Sequence, residues 1–152
     1  MTNKPFGMTI FCDDIRQETN GNFILIGANP REEIIFNKVN NAHCMIPLLG
    51  FYVKIYIPID LKFHSITVYA RQEDNETKKT LFKIEHTKEN FPSAPPKSHD
   101  NKPFYAKLTF VQRIPGIICH PNGLIKVRMT IDEGKPIPLG IIIYKFAEKQ
   151  NP

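Results

Sequence analysis

The chain has 152 residues, of which 41% are hydrophobic and 23% are charged, and its net charge is +5. These values exclude global disorder and fit a single domain, 1–152, with one sizeable core. The longest apolar runs, such as 140–144, are far too short to span a bilayer, and no signal-peptide pattern opens the chain. We therefore expect a cytoplasmic domain with no membrane partner.

The positive charge is concentrated in the second half of the chain. Residues 1–76 hold 7 Lys+Arg and 9 Asp+Glu, a balance of −2, whereas residues 77–152 hold 13 and 6, a balance of +7. A basic half attracts polyanions such as nucleic acids. Because the basic residues are scattered rather than clustered, the composition favours an ordinary solvated surface.

The first strong local signal is the dipeptide Asn20-Gly21 between two β-rich segments. Asn-Gly suits a two-residue type I′ turn, since both central residues of that turn need positive φ. Such a turn fixes the register of the hairpin, and it would place Gln17 opposite Ile24 and Ile15 opposite Ile26. By the same register Asp14 would lie opposite Gly27.

A second dipeptide, Asn122-Gly123, predicts another hairpin, with His120 opposite Ile125 and Ile118 opposite Val127. Alternation of apolar and polar residues predicts half-buried strands elsewhere, over residues 51–57, 66–71, 104–110 and 125–131, with 79–86 as a further candidate. Two segments are apolar on both sides and predict strands covered on both faces, namely 23–26 and 141–143.

The order of these segments predicts the fold class. No segment has the period of a long amphipathic helix, and the 13 prolines punctuate the chain at strand ends and turns. Eight or nine short strands without helices between them predict an all-β, two-layer antiparallel sandwich, immunoglobulin-like or C2-like. The proline-rich polar segment 87–103 is expected to be a mobile surface loop that proteases cut first.

The opening segment FCDDIRQETNGNFILIG, residues 11–27, resembles the start of a family of uncharacterised prokaryotic proteins. That resemblance is carried by the pattern FCDDIR, a glutamate, a glycine turn and a Leu-Ile-Gly strand, here Phe11, Cys12, Asp13, Asp14, Ile15, Arg16, Glu18, Gly21, Leu25, Ile26 and Gly27. The order of later segments is also similar, so the resemblance covers most of the chain. It implies an antiparallel β-sandwich, and it implies no activity, cofactor or catalytic residue.

Two adjacent carboxylates, Asp13 and Asp14, lie in an otherwise apolar segment, where acidic residues are normally avoided. Strict alternation places Asp13 on an apolar face unless the strand bulges there. One hypothesis is a metal-binding or acid/base pair. The favoured alternative is structural: one carboxylate accepts backbone N–H groups and the other pairs with Arg16.

The cysteines give a weaker signal for zinc. His43-Cys44 and Cys119-His120 supply four residues of the types that bind zinc, but neighbouring residues on a strand diverge, and no CxxC spacing occurs. The odd count of three cysteines, Cys12 included, does not support a disulfide framework. We interpret the cysteines as small buried side chains and predict no stoichiometric metal.

Aromatic and basic residues alternate on the predicted outer faces of the strands. If their apolar neighbours face the core, six such side chains face solvent, and they are candidates for binding: Tyr52, Lys54, Tyr56, Lys107, Lys126 and Arg128. Aromatic rings interleaved with cations can stack bases and neutralise phosphates. An ordinary sheet exterior, with lysines that discourage aggregation, is the favoured interpretation.

No nucleophile motif and no phosphate-binding glycine loop occurs in the sequence, so it predicts no catalytic residue and no cofactor. The first functional hypothesis is a non-catalytic binding or scaffolding module with another protein as its partner. The alternative is a metal-dependent or acid/base hydrolase that uses Asp13 or Asp14. A weaker alternative is single-stranded nucleic-acid binding by the basic C-terminal half, and a homo-oligomer stays open.

Overall fold

The computed structural model describes residues 4–29, 32–37, 44–75, 77–91 and 105–147. These residues form ten β-strands and one three-residue 3-10 helix (Lys88–Asn90), which confirms the all-β class. The strands are β1 (Phe6–Cys12), β2 (Asp14–Gln17), β3 (Phe23–Ile26), β4 (Glu33–Asn37), β5 (Cys44–Pro58), β6 (Ser65–Glu73), β7 (Lys78–Thr87), β8 (Tyr105–Cys119), β9 (Leu124–Ile131) and β10 (Ile137–Ala147). No helix in this part of the chain is long and apolar enough to cross a membrane.

The described strands form three sheets, none of which closes into a barrel. A three-stranded sheet has the order β1-β5-β8, a five-stranded sheet has the order β4-β10-β9-β6-β7, and β2 pairs with β3 as a hairpin. All of these pairings are antiparallel except that of β4 with β10, which is parallel.

The core lies where the predicted alternation places it. On β5, every second side chain from Phe51 to Ile57 is at most 1% exposed, and β6 and β9 bury their alternate residues in the same way. Side chains of the three-stranded and five-stranded sheets join in one hydrophobic cluster, in which the rings of Phe51 and Phe82 meet with centroids 5.2 Å apart. Each fully buried aliphatic or aromatic side chain stabilises the fold by about 1.5–3 kcal/mol.

A buried amide links the two larger sheets. Gln72 on β6 is only 6% exposed, and its Nε2 donates a hydrogen bond of 2.6 Å to the carbonyl oxygen of Ile118 on β8. A buried amide is tolerated when its hydrogen-bonding groups are paired. This bond therefore fixes the position of β6 relative to β8 at one point.

The first Asn-Gly hairpin forms, but its predicted register is wrong by one residue. Ile15 lies opposite Leu25 rather than Ile26, because the loop has three residues instead of two. The amide of Gly21 donates to the carbonyl of Glu18 at 3.0 Å, and Gly21 alone of the dipeptide has positive φ, at 84°. A tight turn followed by a glycine in the left-handed region is the usual three-residue hairpin loop.

The second predicted hairpin is wrong in its pairing. Asn122 does have positive φ, at 60°, and the amide of Gly123 donates to the carbonyl of His120, so the chain turns there. The strands on either side pair elsewhere, β8 with β5 and β9 with β10 and β6. Asn-Gly specifies only a local reversal of the chain. The strands on either side of it belong to different sheets, and their apolar faces pack in the same core.

The strands predicted to be covered on both faces each expose one face. Ile24 and Ile26 on β3 are 44% and 38% exposed, and Ile143 on β10 is 36% exposed. For β3 the physical reason is that it belongs to a two-stranded hairpin, so only one of its faces packs on another sheet. Apolar residues on both sides of a short strand therefore did not indicate full burial here.

The proline-rich segment predicted as a mobile loop, 87–103, lies largely outside the described residues. Its first part is described: Thr87 ends β7, and the 3-10 helix Lys88–Asn90 follows. The ring of Phe91 packs edge-on against Phe63, with centroids 4.9 Å apart. Residues 92–104, on which the mobility prediction depends, are outside the described part, and β8 is described from Tyr105 onward.

Candidate functional site

The two adjacent carboxylates occupy different environments. Asp13 forms a bend between β1 and β2, which interrupts the alternation of side chains, and its amide donates to the carbonyl of Ile26 at 2.9 Å. After the bend, Ile15 packs against the outer face of the three-stranded sheet at Gly50. Of the two outcomes that the sequence left open at Asp13, the irregular backbone is the one observed, and it separates the two acids.

Asp14 is held by a backbone amide and two arginines. Its Oδ1 accepts a hydrogen bond of 2.8 Å from the amide of Ile15 and lies 2.8 Å from Nη2 of Arg113, while Oδ2 lies 3.4 Å from Nε of Arg16. Partial burial opposes ionisation, but the amide and the two guanidinium groups outweigh it and hold the pKa of Asp14 below its ordinary value. Asp14 thus makes both of the structural contacts that were expected to be divided between the two acids.

Asp13, in contrast, lines an open cleft of about 350 Å³. Its side chain is exposed and makes no hydrogen bond or ion pair to any other described residue. The carboxylate lies against Gly27, whose φ of 64° is in the left-handed region. The predicted register placed Gly27 beside Asp14, and the observed register places it beside Asp13 instead.

A second carboxylate lines the same cleft. Glu33 on β4 accepts a bond of 2.6 Å from Nζ of Lys145, which compensates its charge. Asn29, also in the lining, donates from Nδ2 to the backbone carbonyl of Glu33 at 2.7 Å. The rest of the wall is mostly apolar: Ile34, Ile35, Phe36, Met45, Ile46, Pro47, Leu49 and Ile142.

Four of the six predicted aromatic and basic candidates lie together on the outer face of the three-stranded sheet. Tyr52, Lys54 and Tyr56 are on β5, and Lys107 is the register partner of Tyr56 on β8. On the other side of β5, Phe6 pairs with Tyr56 and Met8 pairs with Lys54. We call this surface the aromatic–basic face, and define it by Phe6, Met8, Ile10, Tyr52, Lys54, Tyr56, Lys107, Thr109 and Val111.

Ring contacts organise the aromatic–basic face. Phe6 stacks on Tyr56 with centroids 4.8 Å apart and an interplanar angle of 12°, and Tyr105 meets the edge of Phe6 at 5.3 Å. The ammonium of Lys54 lies 5.2 Å from the ring centroid of Tyr52. Phe6 and Met8 are nevertheless 48% and 47% exposed, and none of the nine defining residues is acidic.

The other two candidates belong to the five-stranded sheet. Lys126 on β9 forms an ion pair of 2.8 Å with Glu73, and Arg128 lies opposite Tyr69 on β6. Tyr69 also lies opposite Lys83 and has the guanidinium of Arg71 5.1 Å from its ring centroid. The six residues therefore divide between two sheets and do not form one continuous surface.

Sequence reasoning missed Phe6 and Met8 as surface residues. The segment Phe6–Cys12 carries apolar or small residues on both sides, so alternation alone did not show which side faces the core. It also missed Arg113, the closest cationic partner of Asp14, because that contact joins distant parts of the chain. The sequence contains many other lysines and arginines, and nothing in it distinguishes Arg113 from them as a partner of Asp14.

The cysteines are free, and two of them meet across the sheet. Cys44 on β5 is the register partner of Cys119 on β8, Cys12 and Cys119 are buried, and Cys44 is half-buried. His43 lies outside the described residues, so the structure does not show all four residues of the predicted zinc set together. Among the described residues no group of three or more His, Cys, Asp or Glu side chains could hold a metal ion.

No protein-family model matches the chain, and a search of curated proteins finds no match either.

Proposed function

We propose that this protein is a non-catalytic binding module that recognises another protein through the aromatic–basic face. The observation that carries the proposal is the exposure of Phe6 and Met8 on a face that also presents Lys54 and Lys107. Large aromatic and methionine side chains are enriched in protein interfaces, and they supply most of the binding free energy when they become buried.

The chemistry of the face indicates the kind of partner that fits it. Two ammonium groups and no carboxylate among the nine defining residues favour an acidic partner surface. The stacked ring of Phe6 offers a rigid apolar contact, and its packing on Tyr56 lowers the entropy that is lost when a partner binds. We infer a partner segment that combines carboxylates with one or two large apolar side chains.

The architecture that presents this face is also part of the proposal. We infer that the three-stranded and five-stranded sheets are the two layers of an immunoglobulin-like or C2-like sandwich. The shared hydrophobic cluster of the two sheets supports this arrangement. A cytoplasmic location fits the free cysteines.

Binding is favoured over hydrolysis by the state of the acidic groups. An acid/base pair needs two carboxylates that act on one substrate, but Asp14 is engaged by Ile15, Arg113 and Arg16. In the cleft beside Asp13, the second acid, Glu33, is neutralised by Lys145. Among the described residues of the cleft, one carboxylate without a partner remains, which suits the binding of a ligand better than the transfer of protons.

The test is affinity capture from native cells with quantitative mass spectrometry, using three forms of the protein. The face variant carries Phe6→Ser and Met8→Ser, and the control variant carries Lys83→Glu on the five-stranded sheet. We expect a partner that the parent and the control capture alike and that the face variant loses by at least about tenfold. Equal capture by all three forms would refute the role of this face.

The nucleic-acid alternative is tested with the same variants. A fluorescent single-stranded oligothymidine binds positively charged sheets through its phosphates and stacks on aromatic rings. We expect weak binding that falls with salt and is equal for parent and face variant. Tight binding that the face variant loses would instead assign the aromatic–basic face to single-stranded nucleic acid.

A further inference from the structure

We propose that the cleft beside Asp13 binds a small amphipathic organic cation, with its ammonium or guanidinium group at the Asp13 carboxylate and its hydrocarbon body on the apolar wall. The cleft residues are not those of the aromatic–basic face, so this site is independent of the function proposed above. A cavity of about 350 Å³ lies within the range of small-molecule pockets, which are mostly apolar with a few polar groups.

The charge of the cleft selects a ligand with one positive charge. Asp13 and Glu33 are the two acids among the described residues of the lining, and Lys145 compensates Glu33 at 2.6 Å. This leaves the Asp13 carboxylate without a partner among the described residues. A charge-assisted hydrogen bond from a ligand cation would supply that partner and would be stronger than a neutral one.

The apolar wall supplies the second half of the recognition. Ile46, Leu49 and Ile142 are buried at its base, at most 7% exposed. At the rim, Ile35 and Met45 are 61% and 56% exposed, which makes them the most exposed large hydrophobic side chains among the described residues. A hydrocarbon body that covers this wall would remove apolar surface from water and stabilise the complex by about 25 cal/mol per Å².

Hydrogen bonds hold the backbone around Asp13 in place before any ligand binds. The amide of Asp13 donates to the carbonyl of Ile26 at 2.9 Å, and the amide of Asn29 donates to the carbonyl of Phe11 at 2.8 Å. These two bonds fix the segments on both sides of the acid. Gly27 provides the space in which the carboxylate lies, because any side chain at that position would occupy it. A backbone that is already ordered lowers the entropy that is lost when a ligand binds.

The experiment titrates the protein with three six-carbon probes that carry different head groups: hexylammonium, hexanol and hexanoate. Carbon-13 methyl spectra follow Ile35, Met45 and Ile142 in the cleft and Val111 on the aromatic–basic face. We expect hexylammonium to give saturable shifts confined to the cleft methyls. Hexanol should bind about tenfold more weakly, the factor that loss of one charge-assisted hydrogen bond gives, and hexanoate should not bind.

Two variants and one control connect the binding to Asp13. Asp13→Asn removes the charge at constant size, and Ile35→Arg places a competing cation on an exposed rim position. Each should weaken the binding of hexylammonium by about tenfold or more. Asp60 is an exposed acid outside the cleft, so Asp60→Asn should leave the affinity unchanged. Equal affinity of hexanol and hexylammonium, an unchanged affinity of Asp13→Asn, or shifts that spread to Val111 would overturn the proposal. Thermal midpoints no lower than that of the parent show that the variants remain folded.

Discussion

The carboxylate of Asp13 occupies the space that a β-carbon at Gly27 would need. A β-carbon built at position 27 meets Oδ2 and Cγ of Asp13 at distances that no real pair of atoms tolerates, and the φ of Gly27 is 64°. The two residues therefore constrain each other: the glycine permits the bend that leads into β2, and the bend directs the acid into the cleft. This contact explains why an acid at position 13 and a glycine at position 27 occur together in the opening motif.

Gly27→Ala should destabilise the protein by more than about 1 kcal/mol, since it adds the displacement of the Asp13 carboxylate to the cost of positive φ. Gly116→Ala is the matched control, because Gly116 has the same φ of 64° and nothing within 4 Å of its β-carbon position. The control should cost about 1 kcal/mol. Urea unfolding measures both, and Asp13→Ala added to Gly27→Ala should recover most of the difference. Equal costs at the two glycines would contradict the contact.

The two acids should respond differently to neutralisation. Asp14→Asn should lower the thermal midpoint, because the amide cannot form the ion pairs with Arg113 and Arg16. Asp13→Asn should keep or raise the midpoint, since the side chain stabilises no described neighbour and functional groups often carry a cost in stability. Differential scanning calorimetry at pH 7 measures the thermal midpoints of both variants and of the parent. A larger loss for Asp13→Asn than for Asp14→Asn would reverse the roles assigned here.

The stability of the protein should fall in acid. The pKa values of Asp14, Glu73 and Asp132 are all lowered in the folded protein, for Glu73 chiefly by the hydrogen bond from Lys126, and for Asp132 by the amides of Ser65 and His64. The unfolded chain therefore takes up protons first as the pH falls, and the stabilisation present above about pH 5 is lost below about pH 4. Thermal midpoints between pH 7 and pH 3 test this, and Asp14→Asn should show a smaller decrease than the parent. A midpoint that rises toward pH 3 would contradict it.

Local patterns predicted the strands and the core, but they did not predict the pairing. Period-2 alternation identifies one apolar face per strand, so Val53, Ile66 and Val127 were correctly expected to be buried. The dipeptide Asn122-Gly123 predicts a reversal of the chain and nothing about the next partner, so it could not show that β8 and β9 lie in different sheets. Pairing depends on which faces fit together in the core, a property of the whole chain.

The sequence also predicted the candidate site only in part. The sequence identified Asp13 and Asp14 as unusual because acids are rare in apolar strands, but it could not separate them. Their separation depends on the one-residue change in the hairpin loop that places Gly27 beside Asp13 and on Arg113, which approaches Asp14 from β8. Both are consequences of tertiary structure rather than of local sequence.

Gln72→Met should destabilise the protein by about 1 kcal/mol or more. The substitution keeps the size of the side chain but removes the Nε2 donor, which leaves the carbonyl of Ile118 without this hydrogen bond from the other sheet. Gln17→Met on the exposed part of the β2–β3 hairpin is the control, and it should change the free energy of unfolding by less than about 0.5 kcal/mol. Equal effects in urea unfolding would show that the link between the sheets contributes nothing.

The three thiols should differ sharply in reactivity. Burial raises the pKa of Cys12 to about 11, with a further contribution from the charges of Asp13 and Asp14. Burial also raises the pKa of Cys119 to about 11. At pH 8 only about one in a thousand of these thiols is ionised, and the thiolate is the form that alkylating reagents attack. Cys44 is half-buried on the same sheet and is open to reagent.

Iodoacetamide at pH 8 should therefore modify Cys44 first in the native protein, and Cys12 and Cys119 only after unfolding in urea. Peptide mass spectrometry after timed quenching measures the three rates, and Cys44→Ser should remove the fast phase while leaving the two slow ones unchanged. If Cys119 reacted in the native state as fast as Cys44, its register partner, the β5–β8 pairing at this end of the sheet would open in solution, because a sealed thiol cannot reach the reagent. Rates that coincide only in urea would show instead that the pairing holds and that burial controls the chemistry of these cysteines.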